Sequence, residues 1–298
     1  MAQTVLGVIG GSGLYNIEGM EAVEEVQVDT PFGSPSDAIT LGTLEGARVA
    51  FLPRHGKGHR ISPTELPYRA NIYALKSLGV EQLVAISAVG SLKEEVCPMD
   101  LVVADQLIDR TRSRVSSFFE GGSPVTGVVV HAPFADPFCP HLNKVLYDAA
   151  AEVAERVHQG GTLVVIEGPQ FSTKAESQLY RSWDASIIGM TALPEARLAR
   201  EAEMCYSTLA CVTDYDCWHE SYESVTVNMI IANLQKNVET ARRILRLLVP
   251  RLPEGRQCGC GHSLRTSVVT PPHIIPETVK KELSLLLGKY VPPAKETA

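Results

Sequence analysis

The sequence predicts an α/β fold in which a central mixed β-sheet is flanked by helices. Short apolar runs of strand type alternate along the chain with segments in which apolar residues recur at helical spacing. A chain of 298 residues can bury a large core, and no repeat, low-complexity tract or linker divides it. We therefore expect a single domain over residues 1–298, with its core at about 5–248 and a C-terminal extension over 250–298.

The order of the elements follows from the two periodicities. Apolar runs predict strands at 5–9, 38–42, 48–52, 83–87, 101–108, 161–166, 186–188 and 206–213. Helical spacing predicts helices at 67–78, 140–157, 174–183, 194–203, 223–249 and 276–287. Residues 112–140 show neither pattern, so we expect a long irregular loop, of a length that usually has a function or a partner.

The composition excludes several classes of protein. The formal net charge is −7 and no basic stripe is present, so nucleic acid is not an expected partner. No apolar run approaches the length of a membrane span, and the first residues lack the features of a signal peptide. The seven cysteines lie mostly within apolar segments, which is typical of a reducing cytosol. We therefore expect a cytoplasmic protein that does not bind membranes.

Two carboxylates follow the apolar run at 206–213 without an intervening turn residue. Asp214 and Asp216 are spaced i, i+2, which on an extended backbone points both side chains the same way. Open α/β sheets bind ligands at the carboxyl ends of their strands. A helix N-cap followed by a first-turn acid is the alternative, and it does not explain why the loop closes with Trp218, to which we assign a packing role.

Three other strand ends carry groups suited to an anion. The glycine-rich residues 10–13 include Ser12, a basic loop holds Arg54 and His55, and Ser87 and Ala88 end the strand at 83–87. Backbone amides and hydroxyls can surround an anion, and an arginine can offer it a bidentate fork. A simple tight turn and a solvated basic loop are the alternatives for the first two. Their coincidence favours an oxyanion site to which Arg54 contributes its fork.

Seven motifs occur in a fixed order along the chain. They are Ile9-Gly10-Gly11-Ser12-Gly13-Leu14, Pro53-Arg54-His55-Gly56, Tyr68-Arg69-Ala70-Asn71, Ala88-Val89-Gly90-Ser91-Leu92, Glu167-Gly168-Pro169-Gln170-Phe171, Gly189-Met190-Thr191 and Thr213-Asp214-Tyr215-Asp216-Cys217-Trp218. Over about residues 5–248 the sequence resembles the trimeric purine nucleoside phosphorylases, and within them the 5′-methylthioadenosine phosphorylases.

This resemblance implies an activity and a set of site residues. The activity is reversible phosphorolysis of 5′-methylthioadenosine to adenine and 5-methylthioribose 1-phosphate, a purine and methionine salvage reaction with phosphate as co-substrate and no metal or organic cofactor. The implied phosphate ligands are Ser12, Arg54, His55, Ser87, Ala88 and Thr191. The implied nucleoside contacts are Phe171 and Ser172 at the purine, Met190 at the ribose, Asp214 and Asp216 at the adenine edge, Thr213, Val227 and Ile230 around the 5′ group, and His131 across the interface of a homotrimer.

The chemistry of purine release fits the two acids. The departing base needs a proton at N7, which a protonated Asp214 can donate while Asp216 holds the 6-amino group. Gly189 stands where methylthioadenosine enzymes commonly carry Asn and 6-oxopurine enzymes Gly. The alternatives are therefore a 6-oxopurine or methylthioinosine phosphorylase, and a nucleoside-binding protein without turnover.

The C-terminal extension contains a second cysteine pattern, Cys258-Gly259-Cys260-Gly261-His262. Free thiols, a disulfide, and a partial metal site that includes His262 are the three interpretations. We expect no metal, because the number of ligands in this segment stops at three.

Overall fold

The computed structural model describes residues 6–11, 14, 19–122, 127–219, 227–253 and 255–294, with the backbone alone at 227–232, 234 and 235. Its strands are β1 (Leu6–Gly10), β2 (Glu21–Val26), β3 (Ile39–Leu44), β4 (Ala47–Pro53), β5 (Gln82–Ser91), β6 (Leu101–Val103), β7 (Gln106–Arg110), β8 (Val157–Gln159), β9 (Thr162–Ile166), β10 (Ile187–Gly189) and β11 (Cys205–Asp214). Its α-helices are α1 (Tyr68–Ser77), α2 (Pro140–Ala151), α3 (Lys174–Ser182), α4 (Ala192–Glu201), α5 (Val227–Leu248), α6 (Glu277–Glu282) and α7 (Ser284–Leu287).

All of these strands join one mixed sheet, as the sequence predicts. The main path runs β2-β3-β4-β1-β5-β10-β9-β7, and β11 pairs with both β5 and β6. Strands β4, β1, β5 and β11 are parallel neighbours, so their carboxyl ends reach the same edge of the sheet. Strand β10 is antiparallel to β5, with Ile188 opposite Gly90, and it leads the chain back along β5. This geometry brings the predicted strand-end motifs together.

The structure corrects several predicted elements and adds a strand that was not predicted. Strand β5 continues to Ser91, because the small residues that resemble a loop pair with β11 and β10. The strand predicted at 101–108 is two strands, β6 and β7. The exposed strand β2 has no apolar run to reveal it. The helix predicted at 140–157 stops at Ala151, and the chain enters β8 instead.

The buried carboxylate of Asp100 explains the position of β8. It accepts hydrogen bonds from Arg156 Nε at 2.9 Å and from His158 Nε2 at 2.8 Å. Burial opposes its ionisation, yet the hydrogen bond from Arg156 and those from His158 and the amide of Cys97 lower the pKa of Asp100 overall. The residues around β8 are thus held by hydrogen bonds to an acid that is more than 50 residues away in sequence, which helical periodicity does not reveal.

The C-terminal extension is part of the core. Leu264, Leu283 and Leu287 are fully buried in the same apolar cluster as Ile72 and Leu75 of α1. Burial of a leucine side chain contributes roughly 1.5–3 kcal/mol, so several such contacts hold the extension firmly. None of the helices in the described part of the chain is long and apolar enough to cross a membrane.

Candidate active site

Asp214 and Asp216 lie together at the end of β11, beside Gly90 of β5. A Cβ atom at Gly90 would lie 3.1 Å from Asp214 Oδ1 and 3.3 Å from Asp216 Cβ, so a side chain there would press against both acids. The i, i+2 spacing predicts this convergence, but the reason is different. The register shifts between Val212 and Asp214, and Asp216 has a left-handed backbone with φ of 50°. A turn, rather than a continued strand, joins the two acids.

Hydrogen bonds within this turn fix the carboxylate of Asp214. Thr213 Oγ1 donates to Oδ2 at 2.7 Å, and the backbone N–H of Asp216 donates to Oδ1 at 2.9 Å. From helix α5, Asn233 Nδ2 donates to the carbonyl of Thr213 at 2.8 Å. The carboxylate therefore has a defined orientation before any ligand binds.

Burial favours the protonated form of both acids. It raises the pKa of Asp214, against the hydrogen bonds from Thr213 and the amide of Asp216. Burial also raises the pKa of Asp216 to about 6, with a further contribution from the negative charge of Asp214. Two neighbouring acids of this kind hold a proton nearer to neutral pH than isolated carboxyl groups do.

Arg54 follows β4 and is almost fully buried against Glu195. Its Nε donates to Glu195 Oε1 at 2.6 Å and its Nη2 to Oε2 at 3.2 Å. Two backbone carbonyls accept the guanidinium's other hydrogen bonds: Ile86 O lies 3.0 Å from Nη1 and Ile9 O lies 3.3 Å from Nη2. The expectation that Arg54 offers a bidentate fork to an anion is wrong, because Glu195 occupies that fork. One of its five N–H groups, on Nη1, is not used in these four bonds.

His55 is neutral and its tautomer is defined. Burial, with the charge of Arg54 and the neighbouring ring of His59, lowers the pKa of His55 to about 4, against a hydrogen bond to the carbonyl of Ile61. The Ile61 oxygen lies 2.8 Å from Nδ1, and a carbonyl can only accept. The proton of the neutral ring is therefore on Nδ1, and Nε2 carries a lone pair.

Ser87 and Thr191 meet because β10 runs antiparallel to β5. Ile187 lies opposite Ser91 and Ile188 opposite Gly90, and the same register continued brings Thr191 beside Ser87. Their hydroxyl oxygens are 3.2 Å apart. Thr191 occupies the N-cap position of α4 but makes no side-chain cap hydrogen bond, so its hydroxyl is not committed to the helix. Ala88 lies next to Ser87 inside β5 rather than in a loop.

Met190 lies against the loop that follows β9. A Cβ atom at Gly168, whose φ is +66°, would lie 2.6 Å from Met190 Sδ, so glycine permits this close approach. Arg114 fixes both segments, because its guanidinium donates to the backbone carbonyls of Met190, Leu193 and Glu167. The irregular segment predicted at 112–140 thus supplies a buried positioning residue for the site.

Ser172 and Phe171 lie on the same loop, near the acid pair. The carbonyl of Ser172 accepts a hydrogen bond from Cys217 Sγ at 3.2 Å, directly after Asp216. Ser172 Oγ is buried and has no hydrogen-bond partner among the residues that the structure describes. Phe171 is 53 % exposed. A buried polar atom of this kind beside two acids is a feature of a ligand site.

The structure describes some of the predicted site residues only in part or not at all. Ser12 lies outside the described residues. Val227 and Ile230 lie in the first turn of α5, and their side chains are not described. His131 is exposed, and its backbone N–H donates to Ser267 O of the C-terminal extension at 2.9 Å. Trp218 packs as expected, with Nε1 donating to Ser91 O at 2.7 Å and the guanidinium of Arg181 3.4 Å from its ring centroid.

Comparisons with known proteins identify the family. The phosphorylase superfamily profile matches residues 5–250. The S-methyl-5′-thioadenosine phosphorylase of Koribacter versatilis is 53 % identical over 97 % of each chain, and that of Geobacter sulfurreducens is 52 % identical over 97 % of this chain and all of its own. A methylthioadenosine phosphorylase structure from an antarctic soil metagenomic library has a TM-score of 0.90 and 47 % identity, covering 96 % of this chain and 99 % of its own. The Schistosoma mansoni methylthioadenosine phosphorylase in complex with adenine has a TM-score of 0.83 and 35 % identity, covering 89 % and 99 %.

The chain belongs to the S-methyl-5′-thioadenosine phosphorylase family.

Three residues that position the site of this phosphorylase were not predicted from the sequence: the buried side chains of Glu195 and Arg114, and the half-buried Asn233. Glu195 lies within the helix predicted at 194–203, and it is only 1 % exposed. The sequence holds one indication of Glu195, since a buried arginine such as Arg54 needs a buried acid as its partner. For Arg114 and Asn233 no pattern in the sequence points to the backbone carbonyls that they bind.

Proposed function

We propose that this chain catalyses the reversible phosphorolysis of 5′-methylthioadenosine to adenine and 5-methylthioribose 1-phosphate. One observation carries the proposal: two groups of polar side chains border the same strand, β5. The acid pair faces Gly90, and the hydroxyls of Ser87 and Thr191 meet three residues away. At about 3.3 Å per residue the two groups are about 10 Å apart along the strand, which leaves room for a ribose between a phosphate and a purine.

The reaction replaces a C–N bond with a C–O bond. A phosphate oxygen supplies an electron pair to the anomeric carbon, and the electrons of the glycosidic bond leave with the purine, which takes a proton at N7. Positive charge develops on the ribosyl carbon as the purine leaves. A phosphate bound below the sugar stabilises this charge and then forms the new bond to the same carbon. No electrons are gained or lost overall, and we propose that neither a metal nor an organic cofactor takes part.

Neutral donors supply most of the phosphate site in this proposal. The hydroxyls of Ser12, Ser87 and Thr191 and the backbone at Ala88 contact the oxygens. Arg54 adds its remaining N–H, with its charge balanced by Glu195. Neutral His55 carries a lone pair on Nε2, so it accepts a hydrogen bond from the protonated oxygen of the phosphate rather than donating one.

The acid pair recognises the purine. Asp214 in its protonated form donates to N7 and accepts from the 6-amino group, and Asp216 holds the amino side. The raised pKa of each carboxyl group supports this role. Phe171 and Ser172 border the base, and the buried hydroxyl of Ser172 gains a partner there. Met190 lies against the ribose.

The 5′ group binds where two subunits meet, in a cytoplasmic homotrimer. Thr213, Val227 and Ile230 surround it, and the exposed His131 reaches the neighbouring subunit's pocket. Light scattering at the concentrations used for assays is expected to give the mass of a trimer. An active monomer would overturn this part of the proposal.

Adenine release from methylthioadenosine, with and without phosphate, tests the function. We expect no turnover without phosphate and the same rate after a short incubation with a chelator. Turnover without phosphate would indicate a hydrolase. Inosine as a preferred substrate would indicate a 6-oxopurine phosphorylase, and tight nucleoside binding without turnover would indicate a binding protein.

A further inference from the structure

Four of the seven cysteines converge at the opposite end of β11 from the acid pair. Cys139 precedes the first turn of α2, Cys205 begins β11, and Cys258 and Cys260 belong to the C-terminal extension. Their four sulfur atoms all lie within 4.8 Å of one another, and Cys205 Sγ is 3.3 Å from Cys258 Sγ. Three segments that are distant in sequence therefore place four thiols around one point.

This spacing fits four thiolates around one metal ion. Zinc–sulfur bonds of about 2.3 Å in a tetrahedron separate the sulfur atoms by about 3.8 Å, within the range that the cluster spans. All seven cysteines, each within the described residues, are free thiols. The cluster replaces the partial site considered from the sequence, because His262 Nδ1 instead accepts a hydrogen bond from Lys289 Nζ at 3.1 Å.

We propose that Cys139, Cys205, Cys258 and Cys260 form a structural zinc site. Soft thiolates in a tetrahedral arrangement select zinc, and four protein ligands leave no open position for a substrate. The site is also remote from the reaction: the ten residues of β11 separate Cys205 from Asp214 by about 30 Å at the usual strand rise. From the sequence we expect no metal, because the C-terminal segment alone offers three ligands. In the structure Cys139 and Cys205 join Cys258 and Cys260, so four thiols are available.

The surroundings of the cluster match the charge of such a site. Binding of Zn²⁺ releases one proton from each thiol and leaves a net charge of −2 on the four thiolates and the ion together. Arg200 Nη1 donates to Cys260 Sγ at 3.8 Å and supplies a compensating positive charge. Cys139, Cys205 and Cys260 are buried, whereas Cys258 is half-buried and lines a small cavity with Arg256 and His141.

The site would join the C-terminal extension to α2 and to the start of β11. The extension contributes Leu264, Leu283 and Leu287 to the core. A metal that binds only the folded chain stabilises it, so zinc links the extension's packing to metal supply. The effect falls on stability and not on phosphorolysis.

Metal analysis of the full-length protein, purified under reducing conditions without added metal, is the first test. We expect one zinc per chain. Cys258→Ser removes the least buried of the four ligands. We expect this variant to retain no more than about one-tenth of the zinc, because even changes at the partners of metal ligands weaken metal binding by about 10-fold or more. Cys97→Ser, a change at a half-buried cysteine outside the cluster, is the matched control and should keep it.

Exchange of zinc for cobalt is the second test, because the absorption spectrum of bound Co²⁺ reports the type and number of its ligands. Co²⁺ bound to the wild-type chain should give the intense thiolate charge-transfer and ligand-field absorption of a tetrahedral sulfur site, and Cys258→Ser should weaken both. Prolonged chelation should lower the thermal midpoint while phosphorolysis at low temperature continues. Four reducible half-cystines in the native protein, or four free thiols with no zinc bound at saturating Zn²⁺, would overturn the proposal.

Discussion

The two sides of the candidate site hold charge in opposite ways. On the anion side (Arg54, His55, Ser87 and Thr191) the one buried cation is paired with Glu195, and the imidazole is neutral. On the purine side (Thr213, Asp214, Asp216 and Ser172) no ion pair to a basic side chain compensates the two acids among the described contacts, and burial raises the pKa of both. The anion side is thus neutralised by an internal partner, whereas the purine side is neutralised by a proton.

This difference assigns different duties to the two sides. An internally paired guanidinium changes little when a ligand binds, so the anion side acts as a rigid frame of hydrogen-bond donors. A carboxyl group with a raised pKa can give up its proton during the reaction. We expect substitutions on the purine side to affect the chemical step, and substitutions of the buried pair on the anion side to affect folding as well.

Replacement of Asp214 by Asn should have the largest effect. The amide cannot supply a proton to N7, and its NH₂ group faces the 6-amino group of adenine. We expect kcat/KM for methylthioadenosine to fall by roughly 10²–10⁴-fold, the usual scale for loss of a general acid. The preference should shift toward inosine, because the amide NH₂ can donate to O6.

Asp216→Asn is the matched control for that prediction, since it is expected to weaken nucleoside binding more than kcat. The measurement is kcat and KM of each variant with methylthioadenosine and inosine. If Asp216→Asn loses the chemical step and Asp214→Asn retains it, the two carboxylates have exchanged roles. Asp216 is a genuine alternative as the acid, because its pKa of about 6 lets it also hold a proton near neutral pH.

Replacement of Arg54 by Ala tests the internal pairing on the anion side. It leaves Glu195 buried without its partner, at a cost of about 3–5 kcal/mol in the free energy of unfolding. The double variant Arg54→Ala with Glu195→Ala should lose less than the sum of the two single variants, because it leaves neither charge buried. Urea unfolding at one fixed protein concentration gives these values.

Arg48→Ala provides the matched control for the buried pair. Arg48 pairs with Glu24 at the surface, where the side chains are 26 % and 54 % exposed, and such pairs contribute at most about 1 kcal/mol. Equal losses for Arg48→Ala and Arg54→Ala would contradict the distinction between a buried frame and a solvated pair.

Much of the site could be predicted from strand ends, and the rest depends on contacts that leave no local pattern. The acids at 214 and 216 converge as expected, but a bulge and a left-handed residue bring them together. Arg54 is where the sequence predicts it, yet its partner comes from a helix 141 residues away. Periodicity reports which face of an element is buried. It does not report which buried charges meet.

The dependence of stability on pH measures how far a proton neutralises Asp216 in the folded protein. Its pKa is about 6 in the folded protein against 3.8 for an ordinary Asp, so the folded state binds the proton more tightly. The resulting destabilisation is absent below about pH 4 and complete above about pH 6, and amounts to about 2–3 kcal/mol. Asp216→Asn should therefore gain that much stability relative to wild type over this interval.

Comparison of variant with wild type is essential, because His55 acts with the opposite sign. Its pKa is lowered to about 4, so its contribution makes the folded state more stable as pH rises from about 4 to 6.5, and it cancels in the difference. Glu201→Gln is the control: its pKa is about 7, raised by burial, so its gain should appear between about pH 4.5 and 7. A difference for Asp216→Asn that is constant over pH 4–6 would refute the raised pKa.

The smallest effect is expected at the 5′ group, which neither side of the site recognises by charge. In the proposed function Val227 and Ile230 keep this region apolar. Burial of one additional methyl-sized group contributes roughly 0.8 kcal/mol, so kcat/KM should favour methylthioadenosine over adenosine by about fourfold or more. Ile230→Ser should reduce that ratio and leave the phosphate KM unchanged, because only the 5′ pocket becomes polar. Equal specificity constants for the two nucleosides with the wild-type enzyme would show that the first turn of α5 does not line the 5′ pocket.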